Sequence, residues 1–167
     1  MKSMRGMKKK SMKRVINVVL IMLFCVLAVA CEKSEKGFYL TYNGVDIILD
    51  TVYDVNVYGK YNDLFESSNC AFGDRDVTYI YDDIEIETYG NKNNELIIYA
   101  IRFTNENVKT NEKIGLYDSI NDAIEIYGND FIKEDNKYTY KHGQTSLVFV
   151  TDNDIIESIE YQLNSIE

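Results

Sequence analysis

The clearest hydrophobic pattern lies between residues 119 and 162. Ile120, Ala123, Ile124 and Tyr127 recur at i, i+3, i+4 and i+7, one apolar face of a helix. Ser119 stands where a cap is needed, Asp122 follows three residues later, and Gly128 can close the helix by adopting positive φ. Three strand-like runs follow, Lys137–Lys141, Thr145–Thr151 and Ile155–Gln162, joined by the turns Lys141-His-Gly-Gln144 and Asp152-Asn-Asp154. Earlier in the chain the same order is weaker. Gly37–Tyr42 reads as a strand ending in an Asn43-Gly44 turn, and Val45–Tyr58 is ambiguous between strand and helix. Aligning Val57-Tyr-Gly59 with Ile126-Tyr-Gly128 favours a helix over Thr51–Tyr58, capped at Asp50-Thr51. A polar connection, Asn62–Arg75, leads to strands Val77–Tyr81, Ile84–Tyr89 and Glu95–Thr104.

Two segments with the same order suggest an internal repeat. Ile97-Ile-Tyr-Ala-Ile-Arg-Phe103 matches Ile155-Ile-Glu-Ser-Ile-Glu-Tyr161, and Tyr79 and Tyr81 match Tyr138 and Tyr140. The expected fold is α+β: two tandem helix-plus-antiparallel-sheet repeats, 37–110 and 111–167, with short helices on one face of a continuous sheet. Period-two alternation then assigns the faces. Ile97, Ile101, Phe103, Ile155, Ile159 and Tyr161 form the inward set. Ile98, Ala100, Arg102, Ile156, Ser158, Glu160 and Gln162 form the outward one. Ile84 and Ile86 point inward, with Glu85, Glu87 and Tyr89 outward. The open face is thus expected to gather Glu85, Glu87, Tyr89, Arg102, Ser158 and Glu160, the candidate partner-binding residues.

The N-terminus carries a different signal. Residues 1–14 are basic, Val15–Ala30 is apolar apart from Asn17, and the polar run Glu32–Lys36 follows Cys31. This is the layout of a secretory signal peptide, residues 1–30, and its apolar run is short for a spanning helix, which needs about 20 residues. Leu27-Ala-Val-Ala-Cys31 resembles the lipobox of bacterial lipoproteins. That resemblance implies cleavage before Cys31, a diacylglyceryl group on its thiol, and residues 31–36 as a tether on the outer, extracytoplasmic face of the membrane. An uncleaved anchor helix is the alternative.

Charge narrows the partners. Residues 1–30 hold seven of the 18 Lys and Arg and no acid, leaving 11 basic against 27 acidic residues beyond them, a net −16. Such a surface repels phosphate backbones and anionic headgroups, so nucleic acid is disfavoured and membrane attachment falls to the tether. Fourteen Tyr, with no Trp and no Pro, suit strands that bury a ring and wet a hydroxyl.

Catalytic and metal chemistry find little support in the pattern. The one His, His142, sits in a turn, and no spacing ties it to Cys70, the only thiol left after lipidation; a cysteine-dependent enzyme is the weakest alternative. Asp74-Arg-Asp76, Asp82-Asp83 and Asp152-Asn-Asp154 lack the ligand spacing of a calcium loop and read as turns. One His and one Cys serve zinc poorly, and no phosphate loop occurs, so no metal or cofactor is expected.

The helix closing on Gly, the Tyr-x-Tyr strand, the hairpin and the closing strand Ile156–Tyr161 resemble the β-lactamase-inhibitor-protein-like fold. The small outer-membrane lipoproteins of the SmpA/OmlA type share its single unit. Ser68-Asn-Cys-Ala-Phe72 and Thr78-Tyr-Ile-Tyr81 also resemble lipoproteins of clostridial type. The resemblance implies an open sheet face that grips a protein. The expected function is a non-enzymatic envelope binding module, with inhibition of an extracellular hydrolase as the alternative.

Overall fold

The computed structural model describes residues 37–67 and 75–165, which form a large antiparallel sheet with two short helices and a separate hairpin. Strands β1 (Tyr39–Tyr42) and β2 (Val45–Ile48) make the hairpin. Its turn is the expected Asn43-Gly44, both at positive φ (51° and 79°), the twist a two-residue hairpin requires. Helix α1 (Val55–Tyr58) follows, then β3 (Asp63–Ser67), β4 (Asp76–Ile80), β5 (Ile84–Gly90) and β6 (Leu96–Phe103). Helix α2 (Ile120–Tyr127) precedes β7 (Ile132–Glu134), β8 (Lys137–His142), β9 (Thr145–Asp152) and β10 (Ile155–Leu163). The eight strands β3 to β10 form one sheet in the order β3-β4-β5-β6-β10-β9-β8-β7. Each half is therefore a meander, and the halves meet where β6 pairs antiparallel with β10, Arg102 opposite Glu160 and Ile101 opposite Tyr161.

Similar backbone bonds tie the segments leading into the two helices to β6 and β10. Before α1, Asp50 donates to Ile98 O (2.9 Å), Ile98 donates to Thr51 O (2.9 Å) and Tyr53 donates to Leu96 O (2.7 Å). Before α2, Tyr117 donates to Ile156 O (2.8 Å), Ile156 donates to Asp118 O (3.0 Å) and Ile120 donates to Asp154 O (2.9 Å). Asp50 and Tyr117 both hold positive φ, 61° and 68°. Both helices end on glycine, Gly59 (φ 81°, ψ −175°) and Gly128 (φ 84°, ψ −169°), a backbone region open to little but glycine. The hydroxyls of Tyr81 and Tyr140 donate to the carbonyls of those same glycines, at 3.3 and 3.0 Å.

The helices differ in length for a countable reason. Six positions separate Tyr53 from Gly59, whereas eight separate Ile120 from Gly128, so α1 completes one turn and α2 two. The expected helix over Thr51–Tyr58 is thus shortened: residues 50–53 bond to β6, and Asp54, not Asp50-Thr51, caps the turn by accepting from Asn56 N. α1 buries none of its residues, whereas α2 buries Ile120 and Ala123 and lays Ile124 and Tyr127 against the core, the stripe its periodicity predicts.

The core lies on one face of the sheet. Leu40, Ile47 and Leu49 from the hairpin region, Val108, Ile114 and Leu116 from the connection after β6, and Ile120 and Ala123 of α2 cover it. The sheet supplies Ile84, Ile86, Ile101, Phe103, Leu147, Phe149, Ile159 and Tyr161, all nearly or fully buried. Full burial of each such side chain contributes about 1.5–3 kcal/mol. Tyr79, Tyr81, Tyr138 and Tyr140 join this core, so the tyrosine-rich composition is largely structural.

Two sets of positions depart from strict alternation. Ile98 and Ile156, expected outward, are fully buried in the core; Ile155, expected inward, is 42% exposed, and Ile97 lies outside the core cluster. The cause is a bulge in each closing strand. The register jumps past Tyr99 in β6 and past Glu157 in β10, and one extra residue inverts the phase on its N-terminal side. The two bulges sit at corresponding places, two residues after Ile97 and two after Ile155.

Candidate functional site

Opposite the core, the antiparallel register lines residues into rows across the sheet. One row runs Asp63, Ile80, Glu85, Arg102, Glu160, Val148, Thr139 and Ile132, from β3 to β7. Arg102 stands near the middle, on the strand that joins the halves, and its guanidinium fork reaches three carboxylates. Nη2 lies 2.7 Å from Glu87 Oε1, Nε lies 3.3 Å from Glu160 Oε2, and Nη1 lies 3.5 Å from Glu85 Oε2. Tyr99, turned to this face by its bulge, donates its hydroxyl to Glu87 Oε2 at 2.7 Å.

Four of the six expected residues are therefore gathered: Glu85, Glu87, Arg102 and Glu160. The other two are on the same face but outside the network. Ser158 pairs with Val150 beside the β10 bulge. Tyr89 is 8% exposed, its ring 6.3 Å from that of Tyr99, and it borders a hollow of about 270 Å³ with Asp50, Gln144, Leu163 and Ser165. Two residues were missed. Tyr99 was assigned no place, because only the bulge brings it to this side. Asp76, paired with Tyr89, has one carboxylate oxygen buried without a hydrogen-bond partner.

One guanidinium among three carboxylates leaves an excess of two negative charges if all are ionised, an excess that Lys137 on β8, acting on Glu160 through space, reduces. The electrostatics register this. Burial raises the Glu160 carboxyl above its ordinary value, Glu87 adds to the rise, and Arg102 opposes it. Burial and the bond to Glu87 push the Tyr99 hydroxyl upward, so it remains a proton donor. Arg102 itself loses some preference for charge to burial, but Glu87, Glu160 and Glu85 outweigh that and hold it more firmly protonated than usual. The cluster is a pre-ordered acidic patch: its carboxylates are fixed in direction, partly shielded from water, and incompletely neutralised.

The other candidates are placed as follows. His142 ends β8, with its ring 5.8 Å from that of Phe38 in an edge-on contact. Cys31 and Cys70 lie outside the described residues, and with them the lipid attachment and the Cys70–His142 pairing. Asp82-Asp83 forms the β4–β5 turn, where hydrogen bonds from Asn107 and Tyr42 hold the Asp83 carboxylate. Asp152–Asp154 forms the β9–β10 turn, with Asn153 and Asp154 at positive φ. Among the described residues no group of three His, Cys, Asp or Glu could hold a metal ion.

No family model matches the chain, and neither a curated protein nor a solved structure is found to be similar to it.

Proposed function

We propose that this protein is an exported lipoprotein, tethered through Cys31, whose module is one α+β unit written twice and whose outer sheet face binds a positively charged protein of the cell envelope. The repeat reading is supported by the paired hydrogen bonds ahead of the two helices, the tyrosine bonds to Gly59 and Gly128, and the matched bulges at Tyr99 and Glu157. Its consequence for function lies in where the halves differ. At positions corresponding to Glu85 and Glu87 the second half carries Val148 and Val150, and opposite Arg102 it carries Glu160. The charged cluster thus sits on the first half and the seam, while the second half's outer face carries Val148 and Val150 bordered by Lys137 and Lys141 of β8.

The observation that carries the binding reading is the carboxylate excess around Arg102. A cation offered by a partner meets carboxylates already aimed, so little side-chain entropy is lost on binding. The net −16 beyond residue 30 steers a basic partner toward the module. The binding is non-enzymatic: the face supplies complementarity and field. The lipid holds the module at the membrane, since two acyl chains anchor stably where one does not.

One experiment separates the two parts of this reading. In native envelopes, the full chain with Cys31→Ser is expected to leave the membrane fraction or to accumulate unprocessed. The Glu85→Gln/Glu160→Gln double variant is expected to stay at the membrane while capture of its partner weakens about tenfold. Raising the salt concentration should weaken capture by the parent chain. Unchanged fractionation of the Cys31 variant would remove the tether, and salt-independent capture would remove the charged face.

A further inference from the structure

The sheet has two edges, and they are built differently. At one end β7 is three residues long and carries Lys133 at its centre, the ammonium 4.6 Å over the ring of Tyr138. A short strand with a central lysine is a protected edge. At the other end β3 is five residues long, contains neither Lys nor Pro, and exposes Phe65 to 64% and Leu64 to 39%. Its acids are Asp63 and Glu66, and Glu66 is already engaged by Arg75 at 2.7 and 3.3 Å. A five-residue edge with exposed apolar side chains and no Lys or Arg of its own is a template for another strand.

The hydrogen-bond phase shows which backbone groups turn outward. Tyr81 N donates to Ile84 O at 2.9 Å, so odd residues of β4 face β5, and even residues face β3. Asn62 N donates to Ile80 O at 2.8 Å, in keeping with that phase. Asp63, Phe65 and Ser67, opposite Ile80, Thr78 and Asp76, therefore bond inward. Leu64 and Glu66 turn N–H and C=O away from the sheet, where the Leu64 N–H donates to the carboxylate of its neighbour Asp63 at 2.8 Å.

We propose that β3 pairs antiparallel with β3 of a second copy of this chain, about a two-fold axis through Phe65. Side chains opposed across an antiparallel pair share a face, so a two-fold pairing must centre on a residue. Centred on Phe65, all five residues pair: Phe65 opposes Phe65, Leu64 opposes Glu66, and Asp63 opposes Ser67. No acid opposes an acid, and the outward groups of Leu64 and Glu66 face one another, the Leu64 N–H exchanging the Asp63 carboxylate for the Glu66 carbonyl of the partner strand. Centring on Glu66 sets two carboxylates face to face, which is unfavourable. Centring on Leu64 drops Ser67 from the ladder. A head-to-tail contact of β3 on β7 uses the protected edge and leaves another β3 unfilled at every step, an open filament. The Phe65-centred pair is closed and joins two eight-stranded sheets with their acidic faces on the same side.

This inference does not rest on the binding reading, and its salt dependence is opposite. Two modules of net charge −16 repel, so added salt strengthens self-association while it weakens capture of a basic partner. The test uses the full chain in membranes. Phe65→Cys, at a position 64% exposed in the structure, is expected to give disulfide-linked dimers under mild oxidation, above the background of the parent's own cysteines. Ile126→Cys on α2, at 49% exposure, should add none. In detergent, sedimentation should show a dimer that salt strengthens and that Phe65→Lys weakens about tenfold or more. Equal crosslinking at both positions, adducts only with other proteins, or a monomer at all concentrations would each overturn the pairing.

Discussion

Replacing Arg102 with Ala is expected to destabilise the module by about 2 kcal/mol at neutral pH, and the loss should shrink as the solution is acidified. Removing one partner of a buried pair costs about 3–5 kcal/mol, and that figure is reduced here because the Arg102 side chain is 43% exposed. The change leaves Glu85, Glu87 and Glu160 facing one another with only the more distant Lys137 acting on Glu160. Glu160 already titrates above its ordinary value of 4.5, burial being the main cause, and loss of the opposing guanidinium raises it further. A carboxyl raised in the folded state takes up a proton more readily than in the unfolded chain. Its contribution to stability is present at low pH and is lost as pH rises through the folded value. The variant therefore loses most where Glu160 is ionised and recovers as Glu160 protonates. Urea denaturation from pH 7 down to about pH 4 measures this. A penalty independent of pH would mean that the cluster is not electrostatically coupled.

Phe149→Ala should have the largest effect of any single truncation, about 3–5 kcal/mol. Phe149 is fully buried at the middle of β9, between Ile159 on β10 and Tyr138 on β8. Its ring meets those of Tyr127 and Tyr140, centroids 5.8 and 6.1 Å away, so one deletion opens a cavity where the sheet meets α2. Since domains are stable by about 5–15 kcal/mol in all, the variant should sit close to unfolding. Phe65→Ala, on the exposed edge, should change stability by about 0.5 kcal/mol or less. Thermal or denaturant midpoints of the two variants give the comparison, and a Phe149 penalty below that of Phe65 would displace the core from where it is described.

The same contrast between centre and edge decides what the sequence reveals. β4, β5, β6, β8, β9 and β10 each bury one face against the core, so their side chains alternate and their runs can be read within a residue or two. β3 and β7 bury almost nothing and so leave no alternation; Asp63–Ser67 reads as part of a polar connection, and Ile132–Glu134 reads as nothing in particular. α2 is legible from its stripe and its caps. α1 is not, since it has a single turn and no buried residue. The faces of the closing strands are readable only on the C-terminal side of their bulges. Ile101, Phe103, Ile159 and Tyr161 are assigned correctly, while Ile97, Ile98, Ile155 and Ile156 are inverted by the extra residue at Tyr99 or Glu157. The charged cluster is legible because Glu85 and Glu87 lie on the regular strand β5, and Arg102 and Glu160 lie beyond the bulges of β6 and β10. Tyr99 is hidden for the opposite reason.

The tethered binding face is tested most directly by placing a photo-crosslinking residue at Ser158, on the outer face beside the charged cluster, and another at Glu125, on the exposed side of α2, in the full chain within its native envelope. A discrete protein adduct at Ser158, absent at Glu125 and lost when Glu85 and Glu160 are changed to Gln, is the predicted result. The same adduct at both positions, or one indifferent to those two carboxylates, would contradict the account.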